Sequence, residues 1–309
     1  MKSGTQVVEG ARIPFFSAPP LAPRRPFALE PAGFEEMTVE HDRSEKVLWC
    51  RFAFGARPSF TWAVFRDIAR VQAYVDQAFA VAGPGEMPIR WLVLGSQMPG
   101  VWNLGGDLEL FARLIRNRDR EGLTRYARLA CEAGYNFTTS FRQPLVTVSL
   151  VQGDALGGGF EAVLSSNLII AERSAKFALP EILFNLFPGM GAYTFLARRI
   201  APALAERMIM SGDTYTAEQL HAMGVVDVLA EDGDGERATR DYIHRHERRH
   251  SAHLAIYNAR NVVNPVTLEE MLDITAIWVD AALRLDEGDL RRMERLAAAQ
   301  DRRRAKLDV

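Results

Sequence analysis

Apolar and polar positions follow two alternating patterns along most of the chain. Short runs that are almost wholly apolar or aromatic occur at 46–54 (KVLWCRFAF), 89–96 (IRWLVLGS) and 144–153 (PLVTVSLVQG). They are too short for helices and too uniform for strands with one wet face, so they predict strands buried on both sides. Between them, 60–80 places Phe65, Ile68, Val71, Val75 and Phe79 at helical spacing before PGEMP breaks the pattern. VWNLGGDLELFARLI predicts a glycine turn entering a helix, and a further helix spans about 120–137. NLIIAERSAKFALPE (167–181) predicts two short strands around a polar turn. Strand, turn and helix in repetition, with buried strands, predict an α/β fold with parallel pairing.

Three segments follow from the same pattern. Residues 1–30 are rich in Pro and Arg (SAPPLAPRRPFALEP) and predict a poorly ordered arm or a wrapped extension. Residues 31–230 carry the α/β pattern. Beyond 190 the pattern becomes mostly helical, and EDGDGE (231–236) predicts a flexible acidic turn that opens a C-terminal helical segment, 231–309.

Composition narrows the function. The 309 residues are 48% hydrophobic and 25% charged, as in an ordinary globular protein, and the net charge of -2 gives no electrostatic basis for nucleic-acid binding. The two cysteines, Cys50 and Cys131, are far apart and show no metal spacing. No metal site is expected, although His221, His244, His246 and His250 are within reach of one another along the chain. MKSGTQVVEGARIPFFSAPP holds no apolar run of signal length, and no stretch reaches the roughly 18 apolar residues of a membrane span. The expectation is a soluble, cytoplasmic protein without a membrane span.

The chemistry concentrates in VQGDALGGGFEAVLSSN (151–167). A buried strand ends, three glycines follow, and a helix begins near Gly158. Glycines at that place either make a tight turn with close helix–strand packing or let a ligand oxygen touch backbone N–H groups. NLGGD (103–107) is a second glycine turn after another buried strand, and two such turns aim two N–H groups at one oxygen. Glu161 lies in the first helical turn after the glycines, in apolar surroundings, and Glu181 lies in the apolar stretch KFALPEILFNLFPGMG. Two buried carboxylates are equipment for moving protons at neutral pH, because burial and mutual repulsion separate their pKa values. The alternative is that they cap helices or pair with arginine.

VQGDALGGGFE, SAKFALPEILFNLFPGMG and RMIMSGDTYTAEQLHAMGVVDVL resemble, in order, the core blocks of the crotonase (enoyl-CoA hydratase/isomerase) superfamily. NLGGD resembles its first oxyanion block, commonly Ala-Gly-x-Asp. The resemblance covers about residues 45–230. It implies a spiral of ββα units, a homo-trimer or dimer of trimers, and an oxyanion hole from the backbone N–H groups of Gly106 and Gly158. It puts Glu161 and Glu181 at the positions of the family's two catalytic glutamates. No cofactor is implied beyond the 4'-phosphopantetheine that the substrate carries on acyl carrier protein or CoA.

The chain departs from ordinary hydratases after Glu181, where GMGAYTFL replaces Gly-Gly-Thr-Gln-Arg-Leu, and in its N-terminal arm and helical tail. In these features it is most similar to the diffusible signal factor synthases, crotonase-fold enzymes that make cis-2-unsaturated fatty acid signals for quorum sensing. That implies dehydration of a 3-hydroxyacyl carrier-protein thioester and hydrolysis to the free acid, with acyl carrier protein as partner and a sensor kinase as regulator. The other reading is a conventional enoyl-CoA hydratase of fatty-acid breakdown. A third is a protein of this fold that sequesters a sensor kinase or an acyl ligand without turnover.

An acyl group needs a dry pocket. Leu156, Leu183, Phe184, Phe187 and Met190 are candidates, with Gly157 beside the first glutamate. By resemblance Trp278 and Leu296 close the pocket from the tail. Each also fits ordinary core packing. The basic tail LRRMERLAAAQDRRRAKL and the run RHERRH (245–250) fit either an acidic carrier protein or a solvated helix face.

Overall fold

A computed structural model describes residues 33–305, with side chains to Ala299. The Pro/Arg-rich arm and the side chains of Arg302, Arg303 and Arg304 fall outside the described residues. Strands β1 (Met37–Asp42), β2 (Val47–Phe52), β3 (Trp91–Ser96), β5 (Val146–Val151), β7 (Leu168–Glu172) and β10 (Val228–Ala230) form one sheet in the order β1-β2-β3-β5-β7-β10. Only the β1–β2 pair is antiparallel. A second sheet, β4-β6-β8-β9, is built from β4 (Gly100–Asn103), β6 (Gly153–Leu156), β8 (Lys176–Ala178) and β9 (Thr214–Thr216).

The chain deals its strands alternately to the two sheets. β3 enters the large sheet and β4 the small one; β5 and β6, then β7 and β8, repeat the step. Helices return the chain between steps: α2 (Leu108–Arg116) and α3 (Arg120–Thr138) after β4, and α4 (Gly158–Leu164) after β6. This is the α/β spiral of ββα units that the resemblance implies, followed by helices α5 (Ala192–Leu196), α6 (Pro202–Ser211) and α7 (Ala217–Ala222). Within the small sheet β4 and β6 approach closely: a Cβ at Gly153 in β6 would lie 2.3 Å from the Gly100 carbonyl carbon in β4.

The large sheet is buried on both faces, as its apolar runs require. Leu48, Cys50 and Phe52 point to one core with Leu92. Val47, Trp49, Trp91 and Val93 point to the other, with Val146 and Val148. That second face is covered by α8 (Gly235–His246) and α9 (His250–Val263) through Ile243, Tyr242, Leu254 and Tyr257. On the first face lies α1 (Trp62–Val81), capped by the Thr61 hydroxyl and buried through Phe65, Val71 and Val75, as the helical spacing predicts. The two short strands expected in 167–181 are β7 and β8, whereas β1 and the second-sheet strands β4, β6 and β9 are not evident in the apolar pattern. They alternate polar and apolar residues, or have only three or four residues.

The acidic stretch after β10 differs from the flexible turn expected of it. Asp232 accepts from the Ser174 amide at 2.8 Å, and Glu231 pairs with Arg173 at 2.8 Å. Buried Gly235 donates to Glu172 at 3.0 Å. These bonds pin the start of α8 to the β7–β8 turn, so the acids act as tethers. Further on, α10 (Leu268–Ala282) and α11 (Glu287–Ala305) pack over α2 and α3, with Trp278, Leu290 and Met293 in one cluster with Phe111 and Leu123.

The tightest helix–strand contact is at Gly159, where a Cβ would lie 2.1 Å from the Asn103 carbonyl oxygen. Backbone cannot yield as a side chain does, so Gly159→Ala is expected to cost at least about 2 kcal/mol, beyond ordinary overpacking. Urea denaturation of the variant beside wild type checks this. An unchanged midpoint contradicts the contact.

Candidate active site

Two glycine turns meet where β4 and β6 end. Gly105 has φ +99, and a Cβ there would lie 2.8 Å from the Leu156 carbonyl oxygen and 2.9 Å from the Gly158 nitrogen. A Cβ on Gly158 would lie 3.4 Å from the Gly106 nitrogen. The two loops therefore touch backbone to backbone, which brings the Gly106 and Gly158 amides side by side. Among the described residues neither amide donates to a backbone or side-chain acceptor. Both residues line one cavity. Two free donors converging on a dry cavity suit an oxygen that gains negative charge.

A network of bonds holds the first loop. Asn103 accepts from the Gly105 amide at 2.8 Å, and the Phe60 amide donates to the Gly105 carbonyl at 2.8 Å. Asp107 caps α2 through the Leu110 amide at 3.1 Å. The buried Tyr126 hydroxyl accepts from the Asp107 amide at 3.3 Å and donates to the Phe60 carbonyl at 2.5 Å. The Phe111 ring fills the space beside Gly106, where a Cβ would lie 2.6 Å from it. Tyr126 and Phe60 were not among the sequence candidates. The contact that joins them spans 66 residues, and no local spacing announces it.

Glu161 is buried in α4 and lines the same cavity. Its Oε1 accepts from the Met190 amide at 2.9 Å and the Ala192 amide at 3.0 Å. Glu181 sits on a 3₁₀ turn, Pro180–Phe184. Its Oε1 packs against Gly157, where a Cβ would lie 2.7 Å away, and its Oε2 is buried with no hydrogen-bond partner. Gly157 itself has φ +52 and ψ -127, a conformation that only glycine adopts readily. Neither carboxylate has an ion-pair partner among the described residues. Burial pushes the Glu161 carboxyl well above its ordinary range, against the pull of its two amide donors. Burial and then the neighbouring Glu161 charge push Glu181 upward as well. The more weakly solvated Glu181 is the better proton holder, and the amide-bound Glu161 is the better carboxylate.

The cavity, about 90 Å³, runs from the two glycine amides between the large sheet and helices α1, α3 and α4. Its wall is apolar: Phe60, Phe65, Ile68, Val71, Leu92 and Phe137 among others. Of the eight candidate pocket residues, Met190 lines it. Leu156, Gly157, Leu183, Phe184, Phe187, Trp278 and Leu296 do not. Trp278 is wedged against Gly189 and meets Phe111 edge-on at 5.3 Å, behind the first glycine loop. Leu296 packs in the same cluster, and Leu156 packs on the main core. Phe184 is buried in the Trp278 cluster, and Leu183 is exposed. After the second glutamate only Met190 and Phe195 reach the wall, among the described residues; most of the apolar wall comes from α1, α3 and the sheet. Cys50 lines the cavity with a thiol that burial pushes up to about 12. No group of three His, Cys, Asp or Glu that could hold a metal occurs among the described residues.

The chain is similar to known proteins. A family model described as enoyl-CoA hydratase/isomerase matches residues 77–275. The mitochondrial methylglutaconyl-CoA hydratase of Mus musculus is 25% identical over 224 residues, 71% of this chain and 66% of that protein. The 2,3-dehydroadipyl-CoA hydratase of Escherichia coli is 38% identical over 94 residues, 30% of this chain and 36% of that protein. The chain thus spans about two thirds or less of the curated relatives it matches. The crystal structure of enoyl-CoA hydratase from Bacillus halodurans superposes with a TM-score of 0.69 at 20% identity, covering 84% of this chain and 99% of that one. Pseudomonas aeruginosa DspI gives 0.64 at 23% identity, covering 82% and 98%. At these identities the structural likeness is one of fold. No helix among the described residues is long and apolar enough to cross a membrane.

The raised carboxyls link stability to pH. The unfolded chain ionises glutamate near about 4.3, whereas the folded chain keeps the proton to higher pH. Between those values the folded state binds more protons, so stability falls as pH rises, and the penalty is complete above the folded value. Glu181→Gln removes part of that penalty. The variant is expected to melt several degrees above wild type at about pH 9 and to lose the advantage near about pH 4, where wild type is protonated in both states. An equal difference at both ends contradicts the assignment.

Proposed function

The chain belongs to the enoyl-CoA hydratase/isomerase family, and on that premise we propose that it dehydrates a 3-hydroxyacyl thioester carried on acyl carrier protein and then hydrolyses the thioester, releasing a free cis-2-enoic acid. The observation that carries this reading is the pair of cation-free carboxyls, Glu161 in one cavity with two free glycine amides and Glu181 packed against the neighbouring Gly157. The sequence resemblance to the diffusible signal factor synthases supplies the product class.

In the proposed cycle the thioester carbonyl takes the Gly106 and Gly158 N–H groups. The Glu161 carboxylate removes the C2 proton, and the charge moves onto the carbonyl oxygen as an enolate, which the two amides stabilise. The neutral Glu181 carboxyl gives its proton to the C3 hydroxyl, which leaves as water as the C2–C3 double bond forms. Glu161 is now protonated and Glu181 ionised. Glu181 then takes a proton from a water that attacks the thioester carbonyl, and the same amides hold the tetrahedral oxyanion. Glu161 protonates the departing thiol sulfur. Both carboxyls end as they began, so one pair serves both steps without an outside base.

The exposed apolar residues Ile256, Val262 and Val263 of α9 support assembly of several copies, and a homo-trimer is proposed. Exposed Arg291 and Arg295 on α11 support docking of an acidic carrier protein. A second reading, hydration of an enoyl-CoA with the thioester left intact, is favoured by the CoA hydratases among the sequence relatives.

Mass spectrometry of the purified protein with a 3-hydroxydodecanoyl carrier-protein thioester separates the two. Wild type is expected to release free cis-2-dodecenoic acid, and Glu161→Ala and Glu181→Ala are each expected to lose about 10²–10⁴-fold in rate. An intact thioester, with reversible hydration of a trans-2-enoyl-CoA, establishes the second reading instead.

A further inference from the structure

The cavity carries its own measure of length. Tyr126, Ala130, Ala133, Gly134 and Phe137 of α3 all line it. Their spacing of four, three, one and three residues keeps them on one helical stripe. At about 1.5 Å rise per residue, the eleven steps from Tyr126 to Phe137 cover about 16 Å. The Tyr126 end is fixed at the oxyanion loop by its bonds to Phe60 and Asp107. The Phe137 end therefore lies farthest from the Gly106 and Gly158 amides. Small residues at 130, 133 and 134 keep the stripe between these two rings open.

Phe141 stands at that far end. It lines the cavity and meets Phe137 edge-on at 6.0 Å between ring centroids. Its backbone is uncommon: Ser140, Phe141 and Arg142 have φ of 52°, 54° and 56°. A helix C-terminus is satisfied by a single left-handed residue, usually glycine. Three in succession without a glycine persist only where the surroundings hold them. The holding bonds come from buried Asn167 and from within the end of α3. The Ser140 hydroxyl donates to Asn167 Oδ1 at 2.8 Å, and that oxygen also accepts from the Thr147 amide at 3.1 Å. The Thr139 hydroxyl donates to the Tyr135 carbonyl at 2.7 Å. The tethered turn thus drives one large ring into the end of the cavity.

The geometry points to Phe141 as the stop that sets the longest acyl tail the site accepts, with the α3 stripe as the wall along which the tail lies. An extended alkyl chain advances about 1.3 Å per carbon from bonds of about 1.5 Å, so each carbon added to the tail brings its end nearer the Phe141 ring. This rests on the acyl-thioester reading above and adds to it the residue that limits chain length.

The test separates binding from catalysis. Saturated free fatty acids of about six to sixteen carbons are titrated calorimetrically into the full chain. For wild type, affinity is expected to rise with each added carbon, pass through a maximum within the series and then fall. Phe141→Ala moves the maximum to longer acids by two or more carbons. Ala133→Leu, which fills the middle of the stripe, moves it to shorter ones. Val81→Ala, exposed at the end of α1, leaves it in place. An unshifted maximum in Ala133→Leu or in a folded Phe141→Ala overturns the stop, as does the absence of binding at every length. A maximum that shifts as stated, in a protein that turns over no thioester, keeps the stop and removes the catalytic reading.

Discussion

Everything at the centre of this molecule depends on two carboxyl groups held out of water with no cation to balance them. An unpaired buried carboxylate is costly, and two together cost more, so the pair settles the matter by keeping a proton. The surrounding backbone decides which member keeps it. Two amides from the 190–192 turn converge on one oxygen of Glu161 and favour its charge, whereas Glu181 Oε2 has no donor at all. The asymmetry that acid–base chemistry needs is thus built from main-chain hydrogen bonds. Main-chain donors cannot titrate, and they are fixed by the fold.

That arrangement constrains the glycines. Gly157 accommodates both an inverted backbone and the Glu181 carboxylate, Gly105 lets one loop lie on the other, and Gly159 seats α4 directly on the end of β4. Each glycine removes a side chain from a place where backbone meets backbone or carboxylate. The result is a pair of free amides at fixed separation. The Tyr126 hydroxyl ties the loop to the start of α1, so the amide geometry is braced by the core.

The C-terminal helices serve the site from behind. Trp278 presses on Gly189, one residue before the Met190 amide that binds Glu161. The Thr275 hydroxyl donates to the Gly189 carbonyl at 3.0 Å. The helical tail therefore fixes the turn that orients Glu161, and none of its described residues lines the cavity. Its packing supplies the rigidity of that turn, since a shift of an ångström would alter both amide bonds.

Strands β2, β3, β5, β7 and β8, the helices at 62–81 and 120–138, and the two glycine turns with their acids were legible in the chain, because each is written in local periodicity or in a short motif. Burial on both faces produces continuous apolar runs, and a glycine run beside a lone acid marks a place where backbone must be bare. The strands β4, β6 and β9, of three or four residues, left no such mark, since they are too short to show a period. The acidic stretch at 231–236 looked free because its partners, Ser174, Arg173 and Glu172, lie some sixty residues away. For the same reason only the tertiary structure decided where the dry wall lies. Trp278 and Leu296 are as apolar as Phe65 and Phe137, and nothing in their neighbours along the chain tells a cavity wall from a packed core. That distinction belongs to what stands opposite each ring, and the folding of distant segments onto one another sets it.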